Sequence, residues 1–380
     1  TGGAVVSSQF LGQKKEKNAS LAGEQLIVSN LALSIIIMIV TLAGRNMILS
    51  FLFGKVEADV MRNARIYFFY SALSYPFIAV YNACAALFRS MGNSKISMIV
   101  SIIANVINVA GNAILIFGFK MGVAGAAIPT LVSRIFSAVV MFILLMNKDM
   151  PIHIVNILKY RPNMVMIKRI LRIGIPNGME NSVFQIGKIL VQGIVAGLGT
   201  SAITANSIAS NIGGFGVLPG SAVGLALITV VGQCVGAGYY DGVKLYTKKL
   251  MKITHLVMAG LNILIIFLIP VILKLYKVSD VTADIASTLM LYHCILSTFF
   301  WPPSFSLPNA LRAASDVKFT MWVSMFSMWM WRIGFSYILA IVFDMGVLGV
   351  WIAMTIDWVF RSACFIYRFK KEKYRKFTSI

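Results

Sequence analysis

Glu180 stands in "GIPNGMENSVFQIGKILVQ", a stretch otherwise apolar enough to lie in a membrane. A charge held in hydrocarbon costs roughly 2.5–3.5 kcal/mol on insertion scales, so it is kept where it works or where a partner neutralises it. The work open to a carboxylate there is uptake of a proton or Na⁺. Its neighbours extend the arrangement. At 100° per helical residue, Asn177, Asn181, Gln185, Lys188 and Gln192 share a sector ~80° wide, with Glu180 at its flank. Such a stripe has to face protein or a water-filled cavity. Glu180 and Lys188 lie ~12 Å apart along the axis, too far for a direct pair on a straight helix. Pro176 lacks an N–H and can loosen the helix, leaving carbonyls beside the carboxylate that suit Na⁺. Glu180 is therefore the candidate coupling-ion residue, with a Na⁺ site near it. The alternative is a structural charge locked in an ion pair.

A second constellation is "LYHCILSTFFWPPSFSLPNALRAAS". Tyr292, His293, Phe299, Phe300 and Trp301 supply aromatic faces that attract organic cations, and Pro302–Pro303 must bend the helix. These rings either line a cavity or pack a core. His293 is either a titratable group or a hydrogen-bonded core histidine. Asn105, Asn108 and Asn112 recur at spacings of three and four on one helix face, serving as interhelical hydrogen-bonding groups or as a polar patch on a cavity. Asp357 and Arg361, four apart, read as a structural pair, with Arg332 as another partner for Asp357. Arg134 also requires a partner. No Ser/His/Asp, HExxH or paired-carboxylate pattern occurs, so an enzyme is not indicated. Cys84, Cys234, Cys294 and Cys364 stand alone in or beside apolar runs, which gives neither a metal site nor a disulfide framework. No cofactor is implied.

The elements that position these residues are membrane helices. The chain is 58% hydrophobic and 12% charged, against about 25% charged in soluble domains. Its mean hydropathy is +0.83. Spans of the length needed to cross hydrocarbon fall near 25–44, 66–88, 96–118, 121–146, 169–198, 203–235, 250–273, 283–311, 318–342 and 346–369. The motif MGVxG occurs at Met121 and again at Met345, an offset of 224. Gln9 and Gln233, and Gly12 and Gly236, keep that offset; Arg89 and Arg312, with Lys95 and Lys318, fall one residue short of it. The chain thus carries an internal duplication. The first copy lacks its first ~50 residues relative to the second. The expected fold is all-α: two six-helix bundles related by a pseudo-twofold along the membrane normal, twelve spans in an intact parent and about ten complete here. Residues 1–147 form the N-lobe, 148–167 a cytoplasmic linker and 168–380 the C-lobe with a basic tail.

Charge placement sets the orientation. Of 34 basic residues, 24 fall on the side of the loops that follow even-numbered spans, Arg312 and Arg361 counted among them. By the positive-inside rule that side is cytoplasmic, and it holds the C-terminus. The +21 charge is then a topology signal, and nucleic acid is not a partner. An ion channel would need a continuous pore, usually between symmetric subunits; a two-lobed duplication suits alternating access better.

Local wording narrows the family. "GGAVVSSQFLGQ", "RSMGNSK", "ANVINVAGNAILIFG", "MGVAGAAIPTLVSR" and "RIGIPNGME" follow one another in an order that resembles the multidrug and toxic compound extrusion (MATE) family across essentially the whole chain. The resemblance implies a secondary antiporter; a monomer in the bacterial plasma membrane is the expectation. It would export organic cations and other amphiphilic compounds in exchange for H⁺ or Na⁺. It also implies a functional acidic residue in span seven, which Glu180 supplies, and in many members a second one in span ten. Span ten here has no carboxylate before Asp316, at its end. The alternative is a flippase for lipid-linked sugars of the same broad superfamily, which would favour a cavity rich in arginine and lysine.

Overall fold

The computed structural model describes residues 1–54, 57–154 and 160–376. Lys55 and Lys159, two of the 34 basic residues, and the middle of the expected linker lie outside the described residues. Every regular element among the described residues is helical. The chain divides into two compact units, one of Val6–Leu171 and one of Thr1–Val5 with Arg172–Ile380.

The first unit holds α2 (Glu16–Ala43), α3 (Arg45–Phe53), α4 (Ala58–Leu73), α5 (Tyr75–Ser90), α6 (Ser94–Ala113) and α7 (Gly122–Leu145), and α1 (Gly2–Gly12) runs into it. There α2 packs on α5, and α7 packs on α4, α5 and α6. The run read as one span over 66–88 is two helices bent by 41° at Ser74. Pro76, in the first turn of α5, cannot donate back to the preceding turn, so the helix restarts at the bend.

The second unit contains most of α8 (Met164–Ala196), then α9 (Thr200–Gly216), α10 (Leu218–Gly236), α11 (Tyr240–Tyr276), α12 (Asp280–Trp301), α13 (Leu307–Ala313), α14 (Val317–Ser327), α15 (Phe335–Tyr337) and α16 (Gly346–Lys370). α12 packs on α9, α11 and α16, and α10 packs on α11 and α13. The expected span 203–235 is broken at Val217, because Pro219 restarts the helix one residue later. α8 runs unbroken through Pro176.

Among the described residues eight helices are long and apolar enough to cross a membrane, or nine with the bent α4–α5 pair, against an expected ten. The one expected span not among them is α8, which is long enough but carries the polar stripe. Many side chains on these helices, among them Ile36 and Val40 on α2 and Phe267 on α11, remain exposed. Apolar surface left uncovered to this extent is suited to lipid.

The duplication is written into local backbone geometry. The π-helical turn Ile114–Gly118 that ends α6 recurs as Ile338–Val342 after α15. The Met121 amide donates to Leu115 O at 3.0 Å, and the Met345 amide to Leu339 O at 3.1 Å. Lys120 and Asp344 both have φ of +53°, and Gly122 and Gly346 have φ of +55° and +57°. A Cβ on Gly125 would meet the Leu115 carbonyl carbon at 3.0 Å, and one on Gly349 the Leu339 carbonyl carbon at 2.8 Å. MGVxG is thus the sequence of a turn in which one glycine takes a left-handed conformation and the other lets two helices touch.

Candidate functional site

Glu180 lies on α8 with its side chain 8% exposed, and its partners come from elements far along the chain. Pro302 and Pro303, without N–H groups, turn the end of α12 into a π-helical segment, Pro302–Ser306. α13 continues from there and brings Arg312 inward. Arg312 Nη2 donates to Glu180 Oε1 at 2.6 Å, and Arg312 Nη1 to Asn309 Oδ1 at 2.7 Å. Arg361 on α16 approaches the same carboxylate oxygen at 3.7 Å and lies over the Phe305 ring at 4.4 Å. Glu180 Oε2, Arg312 Nε and Arg361 Nε have no hydrogen-bond partner.

A second buried pair stands one turn away on α16. Asp357, fully buried, accepts from Ser327 Oγ and lies 3.7 Å from Arg332. The four-residue spacing of Asp357 and Arg361 suggested that they pair with each other. Instead Asp357 takes Arg332, the other partner considered, and Arg361 turns to Glu180.

Arg312 and Arg361, which charge placement sets on the basic side, are only 7% and 2% exposed, so they act as buried partners of the carboxylate rather than as solvated charges. Arg312 is near enough the end of α13 to look solvated, Arg361 lies more than two turns inside α16, and the buried carboxylate explains why both turn inward. The signal available was the aromatic run "FFWPPSF" before Arg312, which marks a bend that carries its end into protein.

Two cavities flank the cluster within this unit, and Phe184, Trp301 and Phe305 line both. The first, about 370 Å³, is lined by Asn177, Glu180, Asn181, Arg312 and Arg361 among others. Asn177 Nδ2 there donates to Thr1 Oγ1 at 3.0 Å. The second, about 440 Å³, takes in Lys188, Gln192, His293, Arg332, Trp351 and Trp358. His293 is held by a 3.3 Å contact between Nε2 and Gly213 O, and its ring meets Trp351 and Trp358 edge to face at 5.3 and 5.5 Å.

The polar stripe on α8 is thus divided between two chambers. Gln185 is exposed and lines neither. Tyr292 packs against the apolar cluster of α9, α12 and α16, and Phe300 stands away from both chambers, its carbonyl accepting from Ser362 Oγ at 3.0 Å. A helix turns 100° per residue, so Trp301 can face a chamber while Phe300 beside it cannot.

The other unit has its own cavity of about 380 Å³, lined by Tyr81, Asn82, Asn105, Asn108, Thr130 and Arg134 among others. Asn108 donates to Thr130 Oγ1 at 2.9 Å and accepts from Asn112 at 3.2 Å. The asparagines therefore link helices and line a cavity at once. Arg134 finds its partner in Ser74 Oγ, at the α4–α5 bend, 2.5 Å away.

The family model described as MatE matches residues 1–114 and 176–338. The chain belongs to the MatE family. It is 28% identical to the uncharacterized transporter YisQ of Bacillus subtilis (strain 168), over 94% of this chain and 79% of that protein. It is 26% identical to the probable multidrug resistance protein NorM of Thermotoga maritima, over 86% of this chain and 70% of that one. Among solved structures, a multidrug resistance MATE family transporter of the MOP superfamily in an outward-facing conformation superposes with a TM-score of 0.89. That match has 20% identity and covers 99% of this chain and 84% of the other. This MatE protein is a helical, membrane-spanning transporter, and the buried cluster and the chambers beside it belong to that setting.

Proposed function

We propose that the protein is a secondary antiporter of the plasma membrane that exports amphiphilic drug-like compounds in exchange for H⁺ or Na⁺. Its two lobes open alternately to the two sides, with the C-terminus in the cytoplasm. The relatives named as multidrug resistance proteins support the class of cargo. One observation carries the coupling site: Glu180 is the only carboxylate lining the two chambers beside the cluster, among the described residues, and its Oε2 has no partner.

Uptake of a cation by Glu180 requires the Arg312 pair to open. Arg361, which spans Glu180 and the Phe305 ring, then loses its anchor. Phe305 is a wall of both chambers, so ion uptake in one reshapes the other. Ion and cargo exclude one another through this wall rather than by sharing a ligand. The guanidinium already on the carboxylate leaves less room for a Na⁺ shell than for a proton, which favours H⁺. The test is export of a fluorescent amphiphile from proteoliposomes under an imposed pH or Na⁺ gradient, with Glu180→Gln compared against the unaltered protein. Gradient-driven export that Glu180→Gln abolishes is the expected result. Export at an unchanged rate in Glu180→Gln removes Glu180 from the coupling step.

A further inference from the structure

We infer that the larger of the two chambers beside Glu180 is selective for organic anions: its cargo is an amphiphile with an aromatic body and a carboxylate, sulfonate or phosphate group. The inference rests on the transport reading above and assigns the sign of the cargo's charge.

Three observations lead there. The first is a charge surplus. Around the two chambers beside Glu180 stand three largely buried guanidiniums, Arg312, Arg332 and Arg361, and the exposed Lys188, against two carboxylates, Glu180 and Asp357. Glu180 is engaged by Arg312 and Arg361, and Asp357 by Arg332 at the long distance of 3.7 Å. Lys188 has no ion pair among the described residues. The chamber lined by Lys188 and Arg332 thus carries net positive charge, which favours a ligand of the opposite sign.

The second is that the aromatic faces expected to attract an organic cation are already taken by the protein's own cations. Lys188 Nζ lies over the Phe184 ring at 5.0 Å, Arg332 over the same ring at 5.8 Å, and Arg361 over Phe305 at 4.4 Å. An incoming ammonium would compete with these groups and be repelled by them. An incoming anion would complete them, with the Arg332 fork suited to a planar carboxylate.

The third is the rest of the lining. No carboxylate lines the chamber, Trp358 has an indole N–H without a partner, and Trp301 and Trp351 give flat apolar walls. A volume of about 440 Å³ falls in the range of drug-sized sites. The other unit follows the same pattern. Arg134 lines its cavity with no carboxylate in the lining, and its hydrogen bond is to a neutral hydroxyl.

The test uses the full chain in lipid nanodiscs and two probes of one shape, naphthalene-2-sulfonate and 2-naphthyl-trimethylammonium, with binding read by tryptophan fluorescence. The expected result is tighter binding of the sulfonate by about tenfold or more, the size of one charge-assisted hydrogen bond. Lys188→Gln should bring the two probes to parity, and Lys188→Arg should keep the preference. Equal or tighter binding of the ammonium by the unaltered protein overturns the inference, whatever the variants do. So does a sulfonate preference that persists in Lys188→Gln. Transport of both probes in proteoliposomes separates this inference from the one it rests on. Gradient-driven movement of the ammonium alone keeps the antiporter and sinks the anion site. Movement of neither probe under any gradient, with the binding preference intact, sinks the antiporter and leaves the anion site.

Discussion

Arg312 reaches Glu180 across 132 positions of sequence to form a 2.6 Å contact in which both side chains are more than nine-tenths buried. Removing one member of such a pair strands the other charge away from water. Arg312→Gln should therefore destabilise the protein by about 3–5 kcal/mol. The double variant with Glu180→Gln should recover much of that loss. Thermal unfolding of both in detergent decides the matter, and equal losses in the two would show that the pair is not coupled.

Ser327 donates its hydroxyl to the fully buried carboxylate of Asp357. Ser327→Ala leaves that oxygen without its donor and should cost about 1–3 kcal/mol. Asp357→Asn should be tolerated less well than Ser327→Ala, since it also removes the counter-charge of Arg332. Chemical denaturation of the two variants gives the ranking.

Gly220 on α10 lies against Trp301: a Cβ there would come within 2.3 Å of the indole ring. Gly220→Ala should cost about 1–3 kcal/mol by overpacking and disturb the wall shared by the two chambers. Gly214 on α9 has open space, so Gly214→Ala is the control and should stabilise by up to about 1 kcal/mol. A shift in melting temperature of opposite sign for the two alanines is the expected outcome.

Glu372 follows α16, outside the membrane spans. A hydrogen bond from Lys244 at 2.9 Å, with Arg375 adding to it, holds its carboxyl below the ordinary carboxylate value. A depressed carboxyl contributes stability that is complete above its unfolded value of about 4.3 and is lost as pH falls through the lower folded value. The tail around it, with Tyr374 buried and stacked on Phe369 at 5.2 Å, should therefore stay docked at neutral pH and loosen in acid. Hydrogen exchange over residues 371–376 at pH 7 and near pH 3 measures this. Glu372→Gln should remove the pH dependence.

Much of this protein was legible in the chain by itself. Composition and run length mark the membrane helices, because hydrocarbon admits only backbone that satisfies its own hydrogen bonds. The 224-residue offset anticipates paired turns whose left-handed residues, Lys120 with Asp344 and Gly122 with Gly346, match within a few degrees. The polar stripe on α8 is likewise a local property, since helical periodicity alone assembles it. Partnership was not legible. Whether Arg361 neutralises Asp357, four residues away, or Glu180, on another helix, depends on how α8, α13 and α16 pack. That packing turns on the bend at Pro302–Pro303, whose direction sequence does not state. Tertiary structure also split one stripe between two chambers and left Gln185, Tyr292 and Phe300 outside them. Periodicity fixes which residues share a face, but ion pairs and cavity walls arise from contacts between distant segments, and these only the folded chain selects.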